Sequence, residues 1–197
     1  MFIEIARREH LNTQRLDGMH QLRAHIFKDK KNWDVHVIDN KEVDEYDSLN
    51  PYYLLISQHT GDEVIGCWRI LETVGPYMLK DTFPELLHGK PAPQNIQTLE
   101  LSRFVVRAQR PGNSTFSDIT LQAIREVVRF SLNRQAHQLL TVTTVGVERM
   151  LKKTGISMTR FGPSLRIGIE QAVALNINLD EKTLQALFGA SGVWPSH

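Results

Sequence analysis

A single-domain α/β sandwich is the fold this sequence predicts. Short strand-like runs outnumber helical ones, and one long amphipathic helix stands in each half of the chain. Residues 1–197 show no internal repeat, low-complexity tract or linker, so one domain is the economical organisation.

Phe2, Ile3 and Ile5 read as a short first strand. From Asn12 to Phe27 the apolar residues Leu16, Met19, Leu22, Ile26 and Phe27 recur at helical spacing. Residues 28–50 carry many charges and weak periodicity, which predicts an irregular loop of functional character. Tyr52 to Ser57 and Val64 to Leu71 read as strands joined by a turn at Thr60-Gly61-Asp62. One or two short helices are expected between Met78 and Leu87. Leu99 to Val106 is another strand, followed by the turn Arg110-Pro111-Gly112-Asn113. Ser117 or Asp118 is placed to cap a helix whose inner face carries Leu121, Ile124, Val128 and Leu132. Leu139 to Val145 is a strand rich in Thr and Val, and Glu148 to Thr154 a helix stopped by Gly155. Leu165 to Ile169 and Ala172 to Leu179 read as late strands, and Asp180 to Leu187 as a last helix.

Composition narrows the function. A net charge of +1 gives no global excess to attract nucleic acid, and no nucleic-acid motif is present. No run approaches the roughly 18 apolar residues of a membrane span, and Met1 to His10 lacks a signal peptide's apolar stretch. The single Cys67 cannot form an internal disulfide, which fits a reducing interior. A cytoplasmic protein with no membrane or nucleic-acid partner is expected.

The informative residues break the amphipathic rule. Arg23 lies four residues from both Met19 and Phe27 and so shares their apolar helix face. Arg69 falls in mid-strand on the face of Ile65, Cys67 and Leu71. Glu100 and Ser102 alternate in the next strand and point the same way, whereas Arg103 faces the other side unless a bulge re-aims it. Nearby stand Asp39, Glu42, Asp44, Glu45 and Asp47, five acids against one Lys41. A buried guanidinium needs a partner, and these carboxylates can supply it. The pattern alone is equally that of a polar site inside a core and of a set of structural ion pairs.

The order of several blocks is more specific. Arg23-Ala24-His25-Ile26-Phe27, Trp33-Asp34 and Asp44-Glu45-Tyr46-Asp47 are followed by Gly66-Cys67-Trp68-Arg69-Ile70-Leu71. Phe83-Pro84-Glu85-Leu86-Leu87, Leu99-Glu100-Leu101-Ser102-Arg103-Phe104 and Thr143-Thr144-Val145-Gly146-Val147-Glu148-Arg149 complete the series. Together they resemble the LuxI-type acyl-homoserine-lactone synthases over nearly the whole chain. The near-invariant positions of that family map onto Arg23, Phe27, Trp33, Asp44, Asp47, Arg69, Phe83, Glu100, Ser102 and Arg103, without a departure.

The resemblance implies a three-layer αβα sandwich like that of the acetyl-CoA-dependent N-acetyltransferases, split to admit an acyl-pantetheine. It implies transfer of an acyl group from acyl-carrier protein to S-adenosylmethionine (SAM), followed by lactonisation and release of methylthioadenosine. SAM is then a substrate, and neither cofactor nor metal is expected. Arg23, Asp44, Asp47 and Arg103 would hold it, with Phe27 and Trp33 shaping an N-terminal lid and offering ring faces to the sulfonium. Glu100 would accept the amine proton, with Ser102 and Arg103 supplying backbone N–H groups to the oxyanion. Arg69 belongs to the electrostatic network. The match is closest to the subgroup using long-chain 3-oxo acyl groups, which assigns Thr141 and Thr143 to the acyl chain. Gln109 to Ser114 half matches the pyrophosphate-cradling turn of the N-acetyltransferases, which is compatible with a carrier-protein donor. An acidic carrier protein needs a basic docking face, and Arg149, Lys152 and Lys153 provide one, with Arg160 and Arg166 nearby.

Overall fold

The computed structural model describes residues 1–61, 63–107 and 118–189. It packs as two compact units, Met1–Leu71 with Ser102–Asn113, and Glu72–Leu101 with Ser114–His197. The turn expected at residues 110–113, the half-matching loop at 109–114, a cap at Ser117 and the tail with Trp194 lie outside the described residues.

The first unit opens with β1 (Phe2–Arg7) and α1 (Thr13–Ala24). Asn12 caps α1 by accepting from the Arg15 N–H at 2.9 Å. The helix buries Arg15, His20 and Arg23 beside Met19, Leu22 and Ala24, so its core face is half polar. It runs on into a π-helical stretch, His25–Lys30, a rare form that often marks functional positions. The predicted loop contains structure of its own. A two-residue turn at Asp39-Asn40, both at positive φ (50° and 60°), closes a small hairpin of β2 (Val37–Ile38) and β3 (Lys41–Glu42). A 3-10 turn, Glu45–Leu49, follows. Next come β4 (Tyr52–Ser57) and β5 (Gly66–Glu72), in the antiparallel order β1-β4-β5. A Cβ at Gly66 would meet the Val105 carbonyl at 3.0 Å, so the first residue of β5 has to be small. Met19, Leu22, Phe27, Tyr53, Leu55, Val64, Cys67 and Val105 form the core, with Trp33 and Val35 packed against it.

The second unit contains the short α2 (Met78–Asp81), a 3-10 turn at Pro84–Leu87 and the start of β6 (Thr98–Val106), whose last five residues belong to the first unit. Then come α3 (Asp118–Asn133), β7 (Gln138–Thr144), α4 (Val145–Lys153), β8 (Met158–Arg160), β9 (Leu165–Ile167), β10 (Glu170–Asn178) and α5 (Glu181–Phe188). β7 runs parallel to β6 and antiparallel to β10, which also pairs β8 and β9. The parallel register ends at Leu101↔Thr141, so among the described residues of this unit the last three residues of β7 pair only with β10. Ala123, Ile124, Val127 and Val128 are the buried face of α3, while the expected Leu121 and Leu132 are half-buried. α4 begins three residues before its predicted start. Thr144 caps it by accepting from the Val147 N–H at 3.3 Å, which turns a strand-like Val-Gly-Val into a first helical turn.

Candidate active site

The first unit encloses a cluster of three guanidiniums and three carboxylates: Arg23, Arg69 and Arg103 with Glu42, Asp44 and Asp47. Arg23, in the last turn of α1, forks onto Asp47 with both terminal nitrogens 2.9 Å from the two carboxylate oxygens, and its Nε donates to Glu42. Arg69 reaches across from β5. It donates to both oxygens of Asp44, to Asp47 Oδ1 at 2.9 Å and to Ser102 Oγ at 3.1 Å. Arg103 closes the ring through Glu42 at 3.0 Å and Asp44 at 2.9 Å. Three positive and three negative groups balance, so each buried charge faces opposite ones.

Local chemistry sets each carboxylate. The Asp39-Asn40 hairpin delivers Glu42, and Lys41 ties that hairpin to α1 through Asp17 at 2.7 Å. Asp44 and Asp47 cap the 3-10 turn reciprocally: Asp44 accepts from the Tyr46 N–H at 3.0 Å, and Asp47 from the Asp44 N–H at 2.9 Å. Tyr53, fully buried on β4, adds its hydroxyl to Asp47. His20 stands behind them. Burial and the neighbouring Arg23 push its pKa down, so the neutral ring donates from Nδ1 to the Glu42 carbonyl at 2.9 Å.

Burial alone would raise the Asp47 pKa, but Arg23, Arg69 and the Tyr53 hydroxyl outweigh it and hold the carboxyl far below its ordinary range. Burial likewise opposes the charge on Arg23, and Asp47 and Glu42 restore it, leaving the guanidinium harder to deprotonate than usual. The thiol of Cys67 is different. Burial pushes it up to about 12, and it points at the Arg103 carbonyl 3.7 Å away, so it is no nucleophile.

Exposure separates the members by role. The side chains of Arg23, Arg69, Glu42 and Asp47 are at most 1% exposed, whereas Arg103 and Asp44 keep 15% and 11%. Arg103 and Asp44 are therefore the members of the network open to solvent, and the other four are sealed behind them. Ser102 and Arg103 both join the network. The strand accomplishes this with a left-handed residue, Arg103 at φ 57°, which supplies the re-aiming that strict alternation required. Phe27 is buried, with Trp33 stacked on it at 5.2 Å between ring centroids. Sequence reasoning left Glu42 among five undifferentiated acids and passed over Tyr53 and His20. The turn-forming Asp39-Asn40 pair was the available signal for Glu42, while Asp39 and Glu45 are exposed.

Glu100, in the second unit, is fully buried. Its oxygens accept from the backbone N–H groups of Met78 at 2.8 Å and Leu79 at 2.6 Å, at the start of α2. On β7, Thr141 is buried and its hydroxyl lies 3.5 Å from the Val142 carbonyl. On α4, Arg149, Lys152 and Lys153 are exposed. The buried Glu148 accepts from Arg160 and pairs with Lys152 at 2.9 Å. Those hydrogen bonds, the Arg160 ones foremost, draw the Glu148 carboxyl down to about 2.

The autoinducer synthase profile matches residues 7–187 of this chain. The chain belongs to the autoinducer synthase family. The synthase is 54% identical over 190 residues to the acyl-homoserine-lactone synthase of Pseudomonas aeruginosa, covering 96% of this chain and 94% of that one. Its structure superposes on that of the acyl-homoserine-lactone synthase LasI with a TM-score of 0.90, at 54% identity and over 100% and 98% of the two chains. A CoA-dependent acyl-homoserine lactone synthase, BjaI, solved with SAM and isopentyl-CoA, gives 0.84 at 25% identity over 98% and 90%. Escherichia coli ElaA gives 0.61 at 11% identity over 89% and 97%, a likeness of fold alone. The α/β fold expected from the sequence is therefore present, and the synthase is an enzyme that makes acyl-homoserine lactones. Among the described residues, no helix is long and apolar enough to cross a membrane.

Proposed function

We propose that the synthase takes a long-chain 3-oxo acyl group from acyl-carrier protein and joins it to the amine of SAM, in the cytoplasm and without metal or cofactor. The observation that carries this reading is the part-exposed pair Arg103 and Asp44 on an otherwise sealed network. A guanidinium fork and a carboxylate side by side match the carboxylate and ammonium of an amino-acid substrate. In the first step the amine nitrogen attacks the thioester carbon, and the carrier thiol leaves. Glu100 takes the amine proton, directly or through a water, and backbone N–H groups near Ser102 and Arg103 support the oxyanion. In the second step a carboxylate oxygen of the bound product attacks its own γ-carbon. The C–S bond breaks, and methylthioadenosine leaves with the electron pair as a neutral thioether. Sulfonium is already a good leaving group, so the protein contributes mainly the folded-back geometry.

Thr143 supports the 3-oxo reading. It lies on the stretch of β7 that pairs only with β10 in its unit, and its hydroxyl makes no hydrogen bond among the described residues. Arg149, Lys152 and Lys153 suit an acidic carrier. The SAM and isopentyl-CoA structure of BjaI favours a second reading in which CoA is the donor. Initial rates with matched acyl groups on carrier protein and on CoA decide between them. The double variant Arg149→Glu/Lys153→Glu is expected to raise the KM for acyl-carrier protein about ten-fold and to leave that for SAM unchanged. An unchanged carrier KM, or a faster rate with acyl-CoA, overturns the carrier reading.

A further inference from the structure

Trp33 is already carrying a cation. One side of its indole is stacked on Phe27, with the planes 4° apart, and the Lys31 ammonium lies 4.4 Å over the ring centre. Arg103, the part-exposed arginine of the site, lies 5.8 Å over the ring of Phe27, so this stack begins at the candidate substrate position. The backbone builds the arrangement. The Lys31 N–H donates to the Ile26 carbonyl at 3.0 Å and the Trp33 N–H to the Phe27 carbonyl at 2.8 Å. Asn32 between them takes a left-handed φ of 52°, a bend that folds Lys31 back over its neighbour's ring. Indole is the best aromatic binder of cations, and Trp33 is only half-buried. Lysine is a point charge on a flexible stem that can return to water.

We propose that Lys31 is a resident competitor for the substrate's sulfonium. This rests on the SAM reading above and deepens it. In the free enzyme the ammonium lies over the ring of Trp33; when SAM binds, one cation exchanges for the other. A neutral thioether has no charge with which to hold the ring against Lys31. The site is thereby biased towards the sulfonium substrate and against its thioether product. Once the C–S bond has broken, Lys31 reclaims the ring and favours release of methylthioadenosine.

The test compares Lys31→Met with Lys30→Met, a control one residue away on the exposed end of the π-helical stretch. Calorimetric titration uses SAM and, as a neutral probe, S-adenosylhomocysteine. Lys31→Met is expected to tighten SAM binding about two- to five-fold, the worth of a part-exposed cation–π contact. S-adenosylhomocysteine should change less than about two-fold, and Lys30→Met should move neither ligand beyond that. Unchanged or weaker SAM binding in Lys31→Met overturns the inference. So does an equal gain for both ligands, or an equal gain in the control, since either reports general charge rather than exchange on the ring. If the wild-type synthase binds no SAM at all, the underlying substrate reading falls first and this inference with it.

Discussion

Replacing Asp47 by asparagine is expected to destabilise the synthase by about 3–5 kcal/mol, a large share of the 5–15 kcal/mol that holds a typical domain together. Asp47 takes the fork of Arg23, one nitrogen of Arg69, the Tyr53 hydroxyl and the Asp44 N–H. Asparagine accepts at one head atom only and turns an NH2 group towards the donors on the other side, and the buried cluster is left with three positive groups and two negative. The pH dependence carries its own sign. The Asp47 carboxyl is held far below its unfolded pKa, so its stabilisation is complete above that unfolded value, declines as pH falls below it, and is gone once pH has passed through the folded one. Urea unfolding should therefore show a constant gap between wild type and variant from neutral pH down to about 4, narrowing in stronger acid. A gap below about 1 kcal/mol, or one that widens on acidification, contradicts the role given to this residue.

Glutamine at position 100 is expected to lower the rate of lactone formation by at least about 100-fold, the lower bound for removing a general base. The carboxylate also accepts from the N–H groups of Met78 and Leu79. Glutamine has one acceptor oxygen, so one of those donors loses its partner at a cost of about 1–3 kcal/mol. Rate and stability must be measured together. A folded variant that still binds SAM and has lost turnover assigns the proton transfer to Glu100. Retained turnover with a lowered melting temperature leaves it only the task of fixing α2.

Much of this was legible in the sequence because it follows from periodicity. Arg23 among Met19 and Phe27, and Arg69 among Cys67 and Leu71, stand out as charges on apolar faces, and both are buried as that pattern demands. The order of blocks then carried the family. What periodicity could not give is the orientation of Arg103, because strict alternation turns it away and only its left-handed φ brings it to Asp44. The hairpin that delivers Glu42 has two-residue strands, too short to alternate visibly. β8, at three residues, was missed for the same reason. Tyr53 and His20 read as ordinary core residues, since a phenol or imidazole among apolar neighbours reveals no partner until the fold supplies one. The burial of Arg23 and Asp47 behind Arg103 and Asp44 is likewise a fact of packing, invisible in a list of matched positions.

Mass spectrometry of the products formed from SAM and a series of acyl-carrier proteins tests the two-step reaction most directly. Acyl-homoserine lactone and methylthioadenosine should accumulate in equal amounts, with the highest rate for a long 3-oxo chain. Methylthioadenosine without lactone, or an amide formed from acyl-CoA and another amine with no methylthioadenosine, would contradict it.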